Sequence, residues 1–266
     1  MKKNALIIGG GFAGCSAAHQ LQLLENWDVT LVEKSSFLGA GNKTRWYGGH
    51  PYTFGPRHFL TPYEEVYDYI NNLIPIRKCP EHEFLTYVEQ DDAFYAYPIN
   101  MQDVKNMPDY KLINNEIQEI KNSEYAGVKN ARNLEDYWIA SVGNRLYSKM
   151  IEQYNKKMWL VEDNKEIDTF NWSPKGVTLK EGPRAAWDNV ISGYPYDKNG
   201  YDKYFPMATS QANVLLNSTC QIVDISKKKV KIEGEIYTYD LIISTIGPDI
   251  LLQKELGSLE YIGREL

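Results

Sequence analysis

The chain has 266 residues, 43% of them apolar and 24% charged, with a net charge of −6 at pH 7. That is enough for a sizeable core in one or two domains of an ordinary globular protein. The acidic balance, with no basic run longer than Lys227-Lys228-Lys229, argues against nucleic acid, and no apolar run approaches the roughly 18 residues of a membrane span. Met1-Lys-Lys could open a signal peptide, but the apolar part that follows is too short and breaks into glycines. Cys15, Cys79 and Cys220 are odd in number and lack CxxC spacing, which suits reduced thiols in a cytosolic protein. Neither they nor the four histidines suggest a metal site. Twenty tyrosines and six tryptophans would suit a pocket that stacks on rings, although large, partly buried core residues account for most of them.

The apolar run Ala5–Ile8 predicts a buried parallel strand. Gly9, Gly11 and Gly14 follow as G-x-G-x-x-G: one glycine to turn the chain, one to let backbone approach a pyrophosphate, one to let a helix pack on the strand. That helix is predicted over Ala13–Leu24, with Ala17, Ala18, Leu21 and Leu24 on its apolar side. Its N-terminal N–H groups, around Phe12 and Ala13, would face phosphates. A strand at Val29–Val32 then delivers Glu33 nineteen residues after Gly14, where a carboxylate can take both hydroxyls of a ribose. Strand, turn, helix and acid in this order predict a dinucleotide site. The glycine motif by itself does not separate FAD from NAD.

Further on, Phe37–Asn42 forms a second glycine-rich loop, with Gly41 and Asn42 placed to close over a cofactor, although glycines also simply make turns. Thr61-Pro62 starts a helix over Tyr63–Leu73 with Val66, Tyr69, Ile70 and Leu73 on one face. Glu83–Gln90 and Ala93–Tyr97 read as a hairpin turning at Asp91-Asp92. From Met101 to Trp159 the pattern is helical, with Asn133 as a cap and Gly143 as a break. Lys165–Pro206 has little periodicity, and a helix is predicted near Ser210 carrying Val214 and Leu215. Cys220–Ile225, Val230–Ile232 and Glu235–Tyr239 read as strands around the lysine turn. Asp240–Gly247 reads as a buried strand returning to the nucleotide sheet. The fold expected is α/β: a Rossmann-like FAD-binding domain in two parts, 1–62 and 208–266, with an inserted helical and mixed-sheet substrate region over 63–207.

Several of these stretches together resemble UDP-galactopyranose mutase, an FAD enzyme. Phe54-Gly-Pro-Arg-His-Phe-Leu-Thr61 is similar to that family's Tyr-Gly-Pro-His-Ile-Phe-His-Thr, and Tyr97-Pro-Ile-Asn-Met101 to its Leu-Pro-Phe-Asn-Met. Tyr154-Asn-Lys-Lys-Met-Trp159 resembles the Tyr-x-x-Lys-x-Trp signature of its UDP pocket, and Asp202-Lys-Tyr204 its Asp-Arg-Tyr. The resemblance implies a redox-neutral ring contraction of UDP-galactopyranose to UDP-galactofuranose, with N5 of reduced FAD as the nucleophile at the anomeric carbon. Gly9, Gly11, Phe12, Ala13, Gly14, Glu33, Lys34, Gly41, Asn42, Ile222 and Gly247 would then hold the cofactor. Tyr154, Trp159, Tyr204 and Asn100 would contact the substrate.

Where the family has two histidines in the Gly-Pro loop, this chain has Arg57 and Leu60, with His58 one position away. Lys175 and Arg264 fall near the positions of the two diphosphate-clamping arginines, and Arg184 lies farther on. Arg57, His58, Lys175 and Arg264 are therefore the expected catalytic set, although a lysine meets phosphate without bidentate geometry. Relatives continue beyond the position of Leu266, so the chain is expected to be C-terminally truncated or completed by a second polypeptide. A homodimer is expected by analogy. Two other classes fit parts of the sequence: an amine-oxidase-type FAD oxidoreductase, which shares the glycine motif and Glu33, and an inactive nucleotide-binding remnant.

Overall fold

The computed structural model describes residues 2–122, 131–168, 179–252 and 257–259. It divides into two compact units, one of Met1–Cys79 and Asn189–Tyr261, the other built on Pro80–Asp188. The expected bounds at 62/63 and 207/208 shift for a packing reason. The helix Glu64–Leu73 buries Tyr67 and Ile70 in the core of the first unit, and the strand Ile76–Lys78 pairs with Ile191–Pro195 there.

In the first unit four parallel strands lie in the order Asn213–Leu215, Trp27–Val32, Lys3–Ile8, Leu241–Ser244. Both faces are covered, which is why the sequence of the second half of the first strand is apolar without alternation: Ala5 to Ile8 are all buried. The helix Phe12–Gln22 seals one face with Cys15, Ala18 and Leu21. It ends two residues short of Leu24, which is exposed. On Glu64–Leu73 the buried positions are Tyr67 and Ile70 while Val66 faces solvent, because the Tyr67 hydroxyl turns inward to the Ile76 carbonyl.

The helix predicted near Ser210 is absent among the described residues. The chain instead makes a short helix at Tyr204–Ala208 and then a strand at Asn213–Leu215 that pairs in parallel with Thr30–Val32. Val214 packs on one side of the sheet and Leu215 on the other. A two-sided edge position therefore wins over local helical spacing. The lysine turn is a hairpin between Cys220–Asp224 and Lys229–Ile232, with Lys228 at φ 51°, and Glu235–Thr238 adds a third antiparallel strand.

The second unit opens with the predicted hairpin, Phe84–Val88 against Ala93–Tyr97, closed by Asp92 in the left-handed region. Helices follow at Met101–Val104, Tyr110–Asn122, Leu134–Val142, Asn144–Met150 and Glu152–Trp159. Asn133 caps as predicted, its Oδ1 accepting from the Asp136 N–H at 2.9 Å, and Gly143 at φ 90° separates two helices. Trp138, Val142, Leu146 and Met150 form the core. Lys149, nearly buried, donates to Asp91 and Asp109 at 2.7 Å each. No described helix is long and apolar enough to cross a membrane.

Candidate dinucleotide site

The site sits at the carboxyl ends of the first two strands. Gly9 takes φ +104°, a conformation that L side chains rarely adopt, and it turns the chain out of the sheet. A Cβ on Gly14 would run into the Gly9 carbonyl, so that glycine is demanded by helix-on-strand packing. Gly11 is different. Its backbone is extended, and an added Cβ would meet only the Ala40 Cβ at 3.6 Å, an ordinary contact. Nothing within the described protein requires a glycine there. The helix that starts at Phe12 also has no capping side-chain hydrogen bond and no acid in its first turn, so its first N–H groups are left for an anion.

Glu33 lies beside this turn. Its Oε2 accepts from the Gly10 N–H at 2.6 Å, and its Oε1 from the Ser35 N–H at 2.7 Å and the Ser35 hydroxyl at 2.6 Å. Burial disfavours the charge, but the hydrogen bonds from Ser35 and Gly10 outweigh it and hold the carboxyl below its usual range. Beneath the turn, burial followed by the Glu33 charge pushes the Cys15 thiol up to about 12, so it is an inert core group.

A pocket of about 480 Å³ opens here, lined by Gly9, Glu33, Lys34, Thr219, Gln221 and Ile246 among others. Cys220 and Gln221 line it, whereas Ile222 packs against the core cluster of Leu6, Ile8, Val32, Val230 and Ile232. Ser35 and Thr219 were not anticipated. Ser35 had a readable signal, a hydroxyl two residues from a site carboxylate.

A second pocket of the same unit, about 580 Å³, is lined by Phe12, Ser16, Asn42, His58, Leu60 and Tyr201 with apolar neighbours. His58 Nε2 lies 2.8 Å from Ser192 Oγ. Asn42 reaches it from the glycine-rich loop, where the Gly41 carbonyl accepts from the Gly55 N–H at 2.6 Å. Gly247 precedes the short helix Pro248–Leu251, beside the pocket residues Ile246 and Ile250.

Three expected contacts are corrected. The Arg57 guanidinium donates to the carbonyls of Asp197 (3.2 Å) and Lys198 (2.8 Å), so it staples a loop. Tyr204 is fully buried, stacks on Phe12, and has its hydroxyl 2.6 Å from Ser16 Oγ and 3.2 Å from the Tyr69 hydroxyl. It is a core residue, out of reach of a diphosphate. Asn100, 1% exposed, caps the helix Met101–Val104 by accepting from the Gln102 N–H at 2.9 Å, and its amide donates to Gly182 and Pro183. Arg184 is paired with Asp103 and Glu83. Lys175 and Arg264 lie outside the described residues. Tyr154, exposed, and Trp159, half-buried, share the helix Glu152–Trp159.

A parallel sheet, a glycine turn at an uncapped helix and an acid after the next strand define a Rossmann-like fold. Residues 7–73 match the NAD(P)-binding Rossmann-like domain family model, and residues 149–266 match the UDP-galactopyranose mutase family model. A Klebsiella pneumoniae protein described as a probable UDP-galactopyranose mutase is 23% identical over 97% of this chain. A crystal structure of a reduced UDP-galactopyranose mutase aligns with 95% of the chain at TM-score 0.73 and 20% identity. One of an oxidoreductase from Methanosarcina mazei aligns with 96% at 0.58 and 14%. At these identities the structures speak for the fold. The chain spans 64% of the length of the Klebsiella protein and 57% of the solved mutase chain.

Proposed function

We propose that the chain binds FAD and serves a UDP-galactopyranose mutase-like isomerase that interconverts UDP-galactopyranose and UDP-galactofuranose. The observation that carries the cofactor is Gly11, a glycine the protein's own packing does not need, at the mouth of an uncapped helix. The N–H groups at the start of that helix would hold the diphosphate, Glu33 the adenosine ribose, and the 480 Å³ pocket the adenine. Reduced flavin, when bound, supplies a nucleophilic N5 for the sugar's anomeric carbon. The protein's own contribution would be to hold UDP after the bond breaks, and the exposed Tyr154 and half-buried Trp159 offer aromatic faces for the uracil.

The test is the absorbance spectrum of the purified chain with FAD, oxidised and then reduced with dithionite, during titration with UDP. About one flavin retained per chain, with a spectrum that moves with UDP and a weaker UDP response in Trp159→Ala, supports the assignment. A chain that stays colourless and indifferent to UDP sinks it. Flavin bleached by an amine, with no UDP response, would favour the amine-oxidase-type reading instead.

A further inference from the structure

The Ser35 hydroxyl has one proton and two acceptors. Its Oγ lies 2.6 Å from Glu33 Oε1 and 2.8 Å from the Phe37 carbonyl oxygen, and one O–H can serve only one of them at a time. The other donors to the Glu33 carboxylate are fixed backbone amides: Gly10 N–H on Oε2 and Ser35 N–H on Oε1. The segment itself is pinned, since the Ser35 carbonyl accepts from Asn217 N–H at 3.0 Å and the Glu33 carbonyl from Ser218 N–H at 3.1 Å. The two amides therefore keep the carboxylate oriented whether or not the hydroxyl takes part. Unlike the backbone amides, the hydroxyl can leave by turning about one bond, and an acceptor waits for it.

We infer that Ser35 is a positioning residue whose hydroxyl takes a ribose hydroxyl's place on Glu33 when no nucleotide is bound and turns its hydrogen bond to the Phe37 carbonyl oxygen when one binds. This rests on the cofactor reading above and deepens it to one exchange at one oxygen. Without nucleotide the hydroxyl supplies the partly buried carboxylate with one more hydrogen bond. On binding it gives up a charged acceptor for a neutral one. Nucleotide affinity is thereby held about fivefold below what the same site would reach without it, the difference between hydrogen bonds to charged and neutral partners.

The test is calorimetric titration of the full chain with ADP and with FAD for wild type, Ser35→Ala and Ser35→Thr, beside a carbon-13 NMR titration of the Glu33 carboxyl. The titratable neighbours of that carboxylate are Cys15 under the turn, Lys34 next to it and Cys220 in the same pocket. Ser35→Ala should bind ADP about fivefold more tightly, while Ser35→Thr, which keeps the hydroxyl, stays near wild type. Without nucleotide, Glu33 should titrate at higher pH in Ser35→Ala than in wild type, and bound ADP should erase that difference. Equal or weaker binding in Ser35→Ala, with wild type still binding, overturns the exchange and leaves the cofactor reading intact. A wild type that takes up neither ADP nor FAD overturns both.

Discussion

The turn Gly9–Gly14 and the segment Tyr97–Met101 each stand out in the sequence as a motif, yet the fold uses them in opposite directions. In the turn, nothing among the described residues needs Gly11 to be a glycine or uses the first N–H groups of the helix. In the segment, Asn100 spends its carbonyl on Gln102 and its amide on Gly182 and Pro183, at 1% exposure. A motif whose groups go unused inside points at a ligand. A motif whose groups are consumed inside points at the fold.

Variants can break or sharpen this contrast, and the largest effect belongs to the inward-facing side. Asp103, 4% exposed, accepts from the Ala96 N–H and pairs with Arg184. Asp103→Asn should lose about 3 kcal/mol in urea unfolding, because it takes the charge from a buried carboxylate that holds both the Ala96 N–H and the Arg184 guanidinium. In the turn, Gly14→Ala should cost about 2 kcal/mol or more, since its Cβ meets the Gly9 carbonyl. Tyr204→Phe should cost about 1 kcal/mol for its hydroxyl contacts and leave UDP affinity unchanged; a lost UDP response would return Tyr204 to the substrate. Gly11→Ala should move stability by less than about 0.5 kcal/mol yet abolish flavin retention. A variant that keeps its flavin would refute the outward reading of the turn.

The smallest effect concerns pH. Glu33 is held below its ordinary value in the folded state, so its stabilisation is present above the unfolded pKa and fades as pH falls through the folded one. In Glu33→Gln that part of the acid limb should flatten in a thermal melt followed across the acid range. An unchanged limb would show that the carboxylate is not held by Ser35 and Gly10 in solution.

The sequence shows most of the elements and the site's frame because both rest on short-range chemistry. Ala5–Ile8, the turn at Gly9, the close packing at Gly14, the Asn133 cap and the Gly143 break each follow from a local rule, and the structure realises each of them. What stayed hidden depends on distant partners. Val214 and Leu215 become a strand because the outer edge of Trp27–Val32 needs one. Tyr204 enters the core because Phe12 and Ser16 wait for it across 188 residues of chain. Arg57 turns to a loop at 197–198 that no spacing rule connects to it. Motif resemblance proposed roles for Tyr204, Asn100 and Arg57 from neighbours in sequence; burial places the first two, and loop carbonyls hold the third, through neighbours in space.

The strand Lys3–Ile8 finds one of its two neighbours, Leu241–Ser244, only near the far end of the chain, and the Asn4 N–H closes on Asp240 across 236 positions. Closing so long a loop before its contacts reward it makes such pairing slow. During synthesis the glycine turn would therefore leave the ribosome long before its sheet can be completed, with Ala5–Ile8 exposed in the interval. On the cofactor reading proposed above, nucleotide uptake would then follow the pairing of Lys3–Ile8 with Leu241–Ser244. Force measurements on arrested nascent chains should show the nucleotide unit gaining resistance only after the strand Leu241–Ser244 has emerged, and adding FAD to shorter chains should change nothing.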